Sequence, residues 1–322
     1  MFLKMEEPIS YLNHQPITQK YIHMEFVIIL GAARSGTTML ANLLKKDPRV
    51  LYIGEPRYVW KYKNFHHGHD KLTKEHITSE IRNHIVSFFN NQLLQNEAEI
   101  LLEKTPSNSL RFEFVYDLFP QAKFIHIIRN GYDVARSAKQ RWQGAYTNTE
   151  LAHKSNLNEI SRATNKRLKR KWDHSNTRWK DLLLDLKYSL PLYLNNAGII
   201  KQSIWGPCYP GIRHDFKHME LIEVCSLQWK HSVESVLEFK NSKSFNGAYF
   251  EIRYEDIVSG DQTRVNDMFD FAGIELSDCS IKQLKSIKNN YQAEINSDSK
   301  DSDLIYKQCH SLLEMLGYHS LS

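Results

Sequence analysis

The stretch "FVIILGAARSGTTML", residues 26–40, decides the fold. An apolar, β-branched run, "FVIIL", leads straight into two glycines five apart, Gly31 and Gly36, and then into helix-compatible residues. A short buried strand feeding a glycine-bearing turn and a helix N-terminus aims backbone N–H groups at an oxyanion, the arrangement that cradles phosphate. The nucleoside-triphosphate form of such a loop ends Gly-Lys-Ser/Thr, whereas here Gly36 is followed by Thr37 and Thr38. Arg34, Ser35, Gly36, Thr37 and Thr38 thus offer a guanidinium fork, hydroxyls and N–H groups to a tetrahedral oxyanion, and the set needs no metal.

Outward from this loop, short apolar runs alternate with helix-length segments. "RVLYIG" (49–54), "EILLE" (99–103) and "KFIHII" (123–128) read as strands, with helices expected near residues 35–46, 74–94, 107–118 and 132–141. Such alternation predicts βαβ units: a parallel sheet covered by helices on both faces, three layers in all, with ligands at the C-terminal ends of the strands. From about 143 to 217 the pattern turns polar, basic and helical, and a mainly helical insertion forming a substrate region is expected there. A helix at 221–239, a strand within "AYFEIRYEDI" (248–257) and helices at 262–272 and 303–316 follow, while "NSDSKDSD" (296–303) reads as an exposed loop.

Composition bounds the function. A chain of 322 residues that is 41% hydrophobic can bury a proper core, and its net charge of +5 is too mild to call for nucleic acid. The four cysteines, Cys208, Cys225, Cys279 and Cys309, form no C-x-x-C pair and read as reduced thiols. No segment approaches the roughly 20 apolar residues of a membrane span, and no Asn-x-Ser/Thr acceptor occurs. The expectation is a cytoplasmic protein without an integral membrane segment.

A second candidate phosphate element lies in "FIHIIRNGYDVARS": Arg129 ends a strand and Ser137 stands eight residues later, two turns into the next helix. Together with Arg34-Ser-Gly-Thr-Thr38, with "YFEIRYEDIV", "SLQWKHSVESV", "IGEPRYVW" and "EKTPSNS", it resembles the sulfotransferase family, over residues from about 26 to 273. The resemblance implies a single sulfotransferase domain over 1–322 and 3′-phosphoadenosine 5′-phosphosulfate (PAPS) as co-substrate, without a metal. It is closer to the tyrosylprotein, carbohydrate and bacterial branches than to cytosolic drug and steroid enzymes, because arginine stands at position 34 and a Gly-Glu pair follows the second strand. On that pattern Glu55 is the expected general base, Lys104 and Arg34 the catalytic cations, and Arg57 a substrate-site arginine. Arg34, Ser35, Gly36, Thr37 and Thr38 would hold the 5′-phosphosulfate, and Arg129 with Ser137 the 3′-phosphate. The expected acceptor is a hydroxyl on a carbohydrate or glycolipid. The alternatives at this point are a P-loop kinase or NTPase and a nucleotide-binding protein with no catalysis.

"NFHHGHD" groups His66, His67 and His69, which in a polar loop read as solvated. The segment from Arg162 to Lys171 holds six basic residues and no acid, and reads as a solvated helix face. No motif names the acceptor.

Overall fold

The computed structural model describes residues 25–152, 204–290 and 299–318. Its centre is a five-stranded sheet in the order β2-β3-β1-β4-β5, every neighbouring pair parallel. The strands are β1 (Glu25–Leu30), β2 (Val50–Gly54), β3 (Ile100–Lys104), β4 (Lys123–Ile128) and β5 (Ala248–Arg253). β1, β3 and β4 are buried along nearly their whole length, which is why they read as largely apolar runs rather than alternating ones. Register aligns Gly54 with Lys104, so the ends of β2 and β3 come side by side.

The pleat sends alternate residues of β1 to opposite layers. Val27 and Ile29 pack with Leu40 and Leu44 of α1 (Thr37–Leu44) and with Met268 and Phe269. Ile28 and Leu30 pack with Trp60 of α2 (Arg57–Trp60), Phe89 of α3 (Ser79–Asn96) and Phe112 of α4 (Phe112–Leu118). A third cluster, centred on Trp142 and Trp229, joins α5 (Gly131–Ala152), α6 (Ile212–His218) and α7 (Leu221–Lys240) to the last helix. The remaining helices are α8 (Tyr254–Ser259), α9 (Gln262–Ala272), α10 (Asp278–Asn290) and α11 (Ser299–Met315). The α1–β2 turn is fixed by Asp47, whose carboxylate accepts from the backbone N–H groups of Arg49 and Glu275, both at 2.9 Å, and from the Arg49 guanidinium.

Three expectations need correction or extension. "NSDSKDSD" is not a loop throughout, because Ser299 to Asp303 begin α11. Its polar side chains find partners: Asp301 binds Lys139 at 2.7 Å and Ser302 accepts from Arg136 at 2.7 Å, so tertiary contacts with α5 hold a helix that composition argued against. The helix starting at Gly131 runs on to Ala152 instead of stopping near 141, and α10 stands where no helix was expected. Most of the expected insertion, including Arg162 to Lys171, lies outside the described residues; its end is a turn followed by α6. Among the described residues no helix is long and apolar enough to cross a membrane.

Candidate active site

The loop after β1 is built around two close approaches. Gly36 sits at φ 90° ahead of α1, and a Cβ there would lie 2.6 Å from the ring of Tyr254. A Cβ on Gly31 would meet the Ile127 carbonyl at 2.8 Å, and the Gly31 N–H donates to Ser109 Oγ at 2.8 Å. No side chain caps α1, so its first N–H groups remain available to an anion. Ser35 is fully buried with an Oγ that has no partner among the described residues, Thr37 is buried and Thr38 exposed.

Arg129 leaves the end of β4 with its guanidinium 4.3 Å over the ring of Tyr254, its Nη1 donating to the Arg34 carbonyl at 3.3 Å and its Nη2 3.5 Å from Asp133. Trp229 of α7 orients it by donating its indole N–H to the Arg129 carbonyl at 3.1 Å, across a Gly131 that leaves no room for a side chain. Arg129 Nε is buried without a partner among the described residues. Ser137 accepts from Arg34 Nε at 3.1 Å rather than standing apart from the loop, so the two candidate phosphate elements touch. Arg141 lies one helical turn beyond Ser137 and completes a set of three guanidiniums. Burial, then the charge of Arg141 and that of Arg129, pushes Arg34 below its ordinary pKa. Like charges gathered in this way favour an anionic ligand between them.

The ends of β2 and β3 carry the second half of the site. Glu55 has a left-handed backbone, φ 56°, uncommon for a side chain other than glycine. The turn is tied down by the Glu55 N–H donating to the Lys104 carbonyl at 3.0 Å. Lys104 Nζ donates to Glu55 Oε1 at 2.5 Å; the lysine side chain is 4% exposed and the glutamate 45%. One carboxylate oxygen thus faces a buried cation while the group stays open to an incoming hydroxyl. Arg57 reaches Ser107 Oγ at 3.5 Å and the Gly206 carbonyl at 3.4 Å, linking this corner to the turn before α6.

Sequence reasoning named as candidates Arg34, Ser35, Gly36, Thr37, Thr38, Arg129 and Ser137, which the fold brings to one corner, and Glu55, Lys104 and Arg57, which it brings to the adjacent one. It missed Arg141, Ser109, Tyr254 and Trp229. It also missed Asp70, which is buried 3.5 Å from Arg111 and 3.6 Å from Lys61 and accepts from the Cys208 N–H at 2.9 Å. Arg111, then Arg57 and Lys61, holds the Asp70 carboxyl below its ordinary value against the effect of burial. Ser137 and Arg141, at the spacing i and i+4 on one helix face, were the signal available for Arg141. His66, His67 and His69 gather with His76 beside this corner, His67 and His76 ring centroids being 4.7 Å apart. Burial and neighbouring positive charge lower His67 and His69.

A glycine-bearing loop between a buried strand and a helix, at the C-terminal edge of a parallel sheet and ringed by arginines, defines a P-loop-like α/β protein. The family model described as the sulfotransferase family matches residues 27–190, just over half the chain, and the chain belongs to that family. Curated relatives include the nodulation protein NoeE of Sinorhizobium fredii, 28% identical over 135 residues, which are 35% of this chain and 31% of that protein. Protein-tyrosine sulfotransferase A of Caenorhabditis elegans is 29% identical over 126 residues, 36% of this chain and 33% of that one. The match spans less than half the length of these relatives. Similar solved structures include the sulfotransferase domain from the curacin biosynthetic pathway, with 14% identity, TM-score 0.47 and coverage of 92% of this chain and 98% of that one. Sulfotransferase STF9 from Mycobacterium avium gives 11% identity, TM-score 0.43 and coverage of 91% and 77%.

Proposed function

We propose that the chain is one sulfotransferase domain that moves a sulfuryl group from PAPS to a hydroxyl acceptor. The observation that carries the reading is the Glu55–Lys104 pair, 2.5 Å apart, standing beside the arginine-ringed loop. An in-line transfer needs a base on the acceptor side and fixed cations around the sulfuryl oxygens and the departing phosphate. Glu55 takes the proton of the acceptor hydroxyl as its oxygen bonds to sulfur, and the bond from sulfur to the phosphate oxygen breaks. Lys104 and Arg34 stabilise the charge on the sulfuryl oxygens and the leaving phosphate. Ser35, Thr37, Thr38 and the N–H groups around Gly36 hold the 5′-phosphate; Arg129 and Ser137, with Arg141, hold the 3′-phosphate. The unpartnered buried atoms Ser35 Oγ and Arg129 Nε support this assignment, since each gains a partner from a phosphate oxygen.

The acceptor we propose is a carbohydrate or glycolipid, held by Arg57 on the side of the turn at Gly206. A tyrosine hydroxyl is the second reading, favoured by relatives named protein-tyrosine sulfotransferases. The reaction is set in the cytoplasm, in keeping with four free thiols. Calorimetric titration with 3′-phosphoadenosine 5′-phosphate, without magnesium, tests the donor. Tight binding that weakens sharply in Arg129→Ala supports the proposal, and no binding beside magnesium-dependent ATP binding returns the loop to the kinases. A panel of labelled sugars, glycolipids and tyrosine peptides then separates the acceptors, and label on peptides alone overturns the carbohydrate assignment.

A further inference from the structure

Glu103, one residue before Lys104, is fully buried and takes no part in the reaction described above. Its Oε1 accepts from the Trp60 indole N–H at 3.0 Å and from Thr105 Oγ1 at 2.5 Å, and its Oε2 accepts from Asn108 Nδ2 at 3.0 Å. The three donors come from two segments. Trp60 closes α2, the helix that begins two residues after Glu55. Thr105 and Asn108 lie in and just before the 3-10 turn (Pro106–Arg111) that follows Lys104. One carboxylate therefore clamps the segment carrying the expected base to the segment carrying the expected cation.

The same network has room for a proton. Asn108 Oδ1 is buried and has no partner among the described residues. If the Asn108 amide turns over, a protonated Glu103 donates to that oxygen, and the Asn108 NH₂ loses its acceptor. The carboxylate form satisfies three donors and the acid form at most rearranges them, so the two states hold the clamp differently. Charged and titratable groups facing Glu103 are Lys104 on its own strand, Arg111 from the turn and Tyr52 from β2. Burial raises the Glu103 carboxyl to about 7 against the pull of Thr105, Trp60, Lys104 and Arg111, so both states are populated near neutrality.

We propose that Glu103 is a positioning residue whose proton, shared with the Asn108 amide, sets how firmly Glu55 is held against Lys104. The proposal rests on the sulfotransferase reading for its effect on turnover and on the network alone for its effect on geometry, and the two are tested separately.

The first measurement is nitrogen NMR of the tryptophan indoles in the full chain between pH 5.5 and 8.5. The Trp60 resonance, assigned with Trp60→Phe, is expected to titrate with a midpoint near 7 in the wild type and to stay flat in Glu103→Gln; a flat wild-type resonance overturns the proton switch. The second follows the carboxylate carbon of Glu55 in the same two proteins, and an unchanged Glu55 titration in Glu103→Gln overturns the positioning role whether or not turnover is found. The third is the pH profile of kcat with PAPS. Glu103→Gln is expected to lose about 10-fold to 100-fold in kcat, as partners behind catalytic side chains do, with KM for PAPS unchanged and the limb near pH 7 removed. Asn108→Asp, which places a second acid in the network, is expected to shift that limb upward. A kcat loss with the limb intact assigns Glu103 a packing role only and overturns the proposal. Absence of any sulfuryl transfer, with both NMR responses present, rejects the sulfotransferase reading and leaves the clamp standing.

Discussion

Replacing Gly36 by alanine puts the local geometry of the loop to a quantitative test. The new methyl would stand 2.6 Å from Tyr254 Cδ2, and the backbone would have to keep φ 90°. A side chain in that backbone region costs about 1–3 kcal/mol, and forcing an aromatic ring aside costs a further 1–3 kcal/mol or so. The total, about 2–6 kcal/mol, is a large part of the roughly 5–15 kcal/mol by which native domains are stable. Urea unfolding of the wild type, Gly36→Ala, Tyr254→Ala and the double variant separates the two parts. Removing the ring relieves the clash and leaves the backbone cost, so the cycle is expected to show about 1–3 kcal/mol of non-additivity. Additivity within about 0.5 kcal/mol would refute the reasoning, because it would mean that the glycine is required for its backbone alone. Displacing Tyr254 also removes the ring face beneath Arg129, so Gly36→Ala should weaken binding of 3′-phosphoadenosine 5′-phosphate more than that of adenosine 5′-phosphate.

Glu55→Gln is expected to cut kcat by about 10²–10⁴, the usual worth of a general base, with calorimetric affinity for 3′-phosphoadenosine 5′-phosphate within about twofold of the wild type; equal turnover in the two proteins would remove Glu55 from the chemistry. Arg141→Ala should lower affinity for the 3′-phosphate ligand by about 10-fold, the scale of one charge-assisted contact, leave adenosine 5′-phosphate binding nearly unchanged, and reduce the salt dependence of the former. Asp47 supplies an acid-side test of stability. Its carboxyl is held down to about 2, chiefly by the hydrogen bond from Arg49. A depressed carboxyl contributes stability that is full above its unfolded value near 3.9 and is lost as pH falls through the folded value. Asp47→Asn should therefore cost on the order of 2 kcal/mol at pH 6 and show a flatter urea midpoint between pH 4 and 2 than the wild type.

The sheet was legible because buried parallel strands are dominated by apolar residues, as "FVIIL", "EILLE" and "KFIHII" are. Polar helices were less so. The run at 296–303 carries no local helix signal, and partners distant in the chain hold the start of Ser299–Met315: Lys139 and Arg136, about 160 residues away, and Glu220, which pairs with Lys300. α5 outran its expected end because Trp142 has a buried place against α6 and α7 that no short-range pattern reveals.

The sequence alone determined the phosphate loop, the glycines it needs and the residues at three strand ends, since glycine spacing and strand periodicity are local consequences of backbone geometry. Tertiary structure alone decided that Arg34 meets Ser137, that Lys104 is buried against an exposed Glu55, and that Glu103 clamps both segments from behind. The Arg34–Ser137, Lys104–Glu55 and Trp60–Glu103 contacts join residues from about 40 to more than 100 positions apart. Only the parallel order β2-β3-β1-β4-β5 and the burial it imposes bring them together, because charge, hydrogen bonding and desolvation act through space.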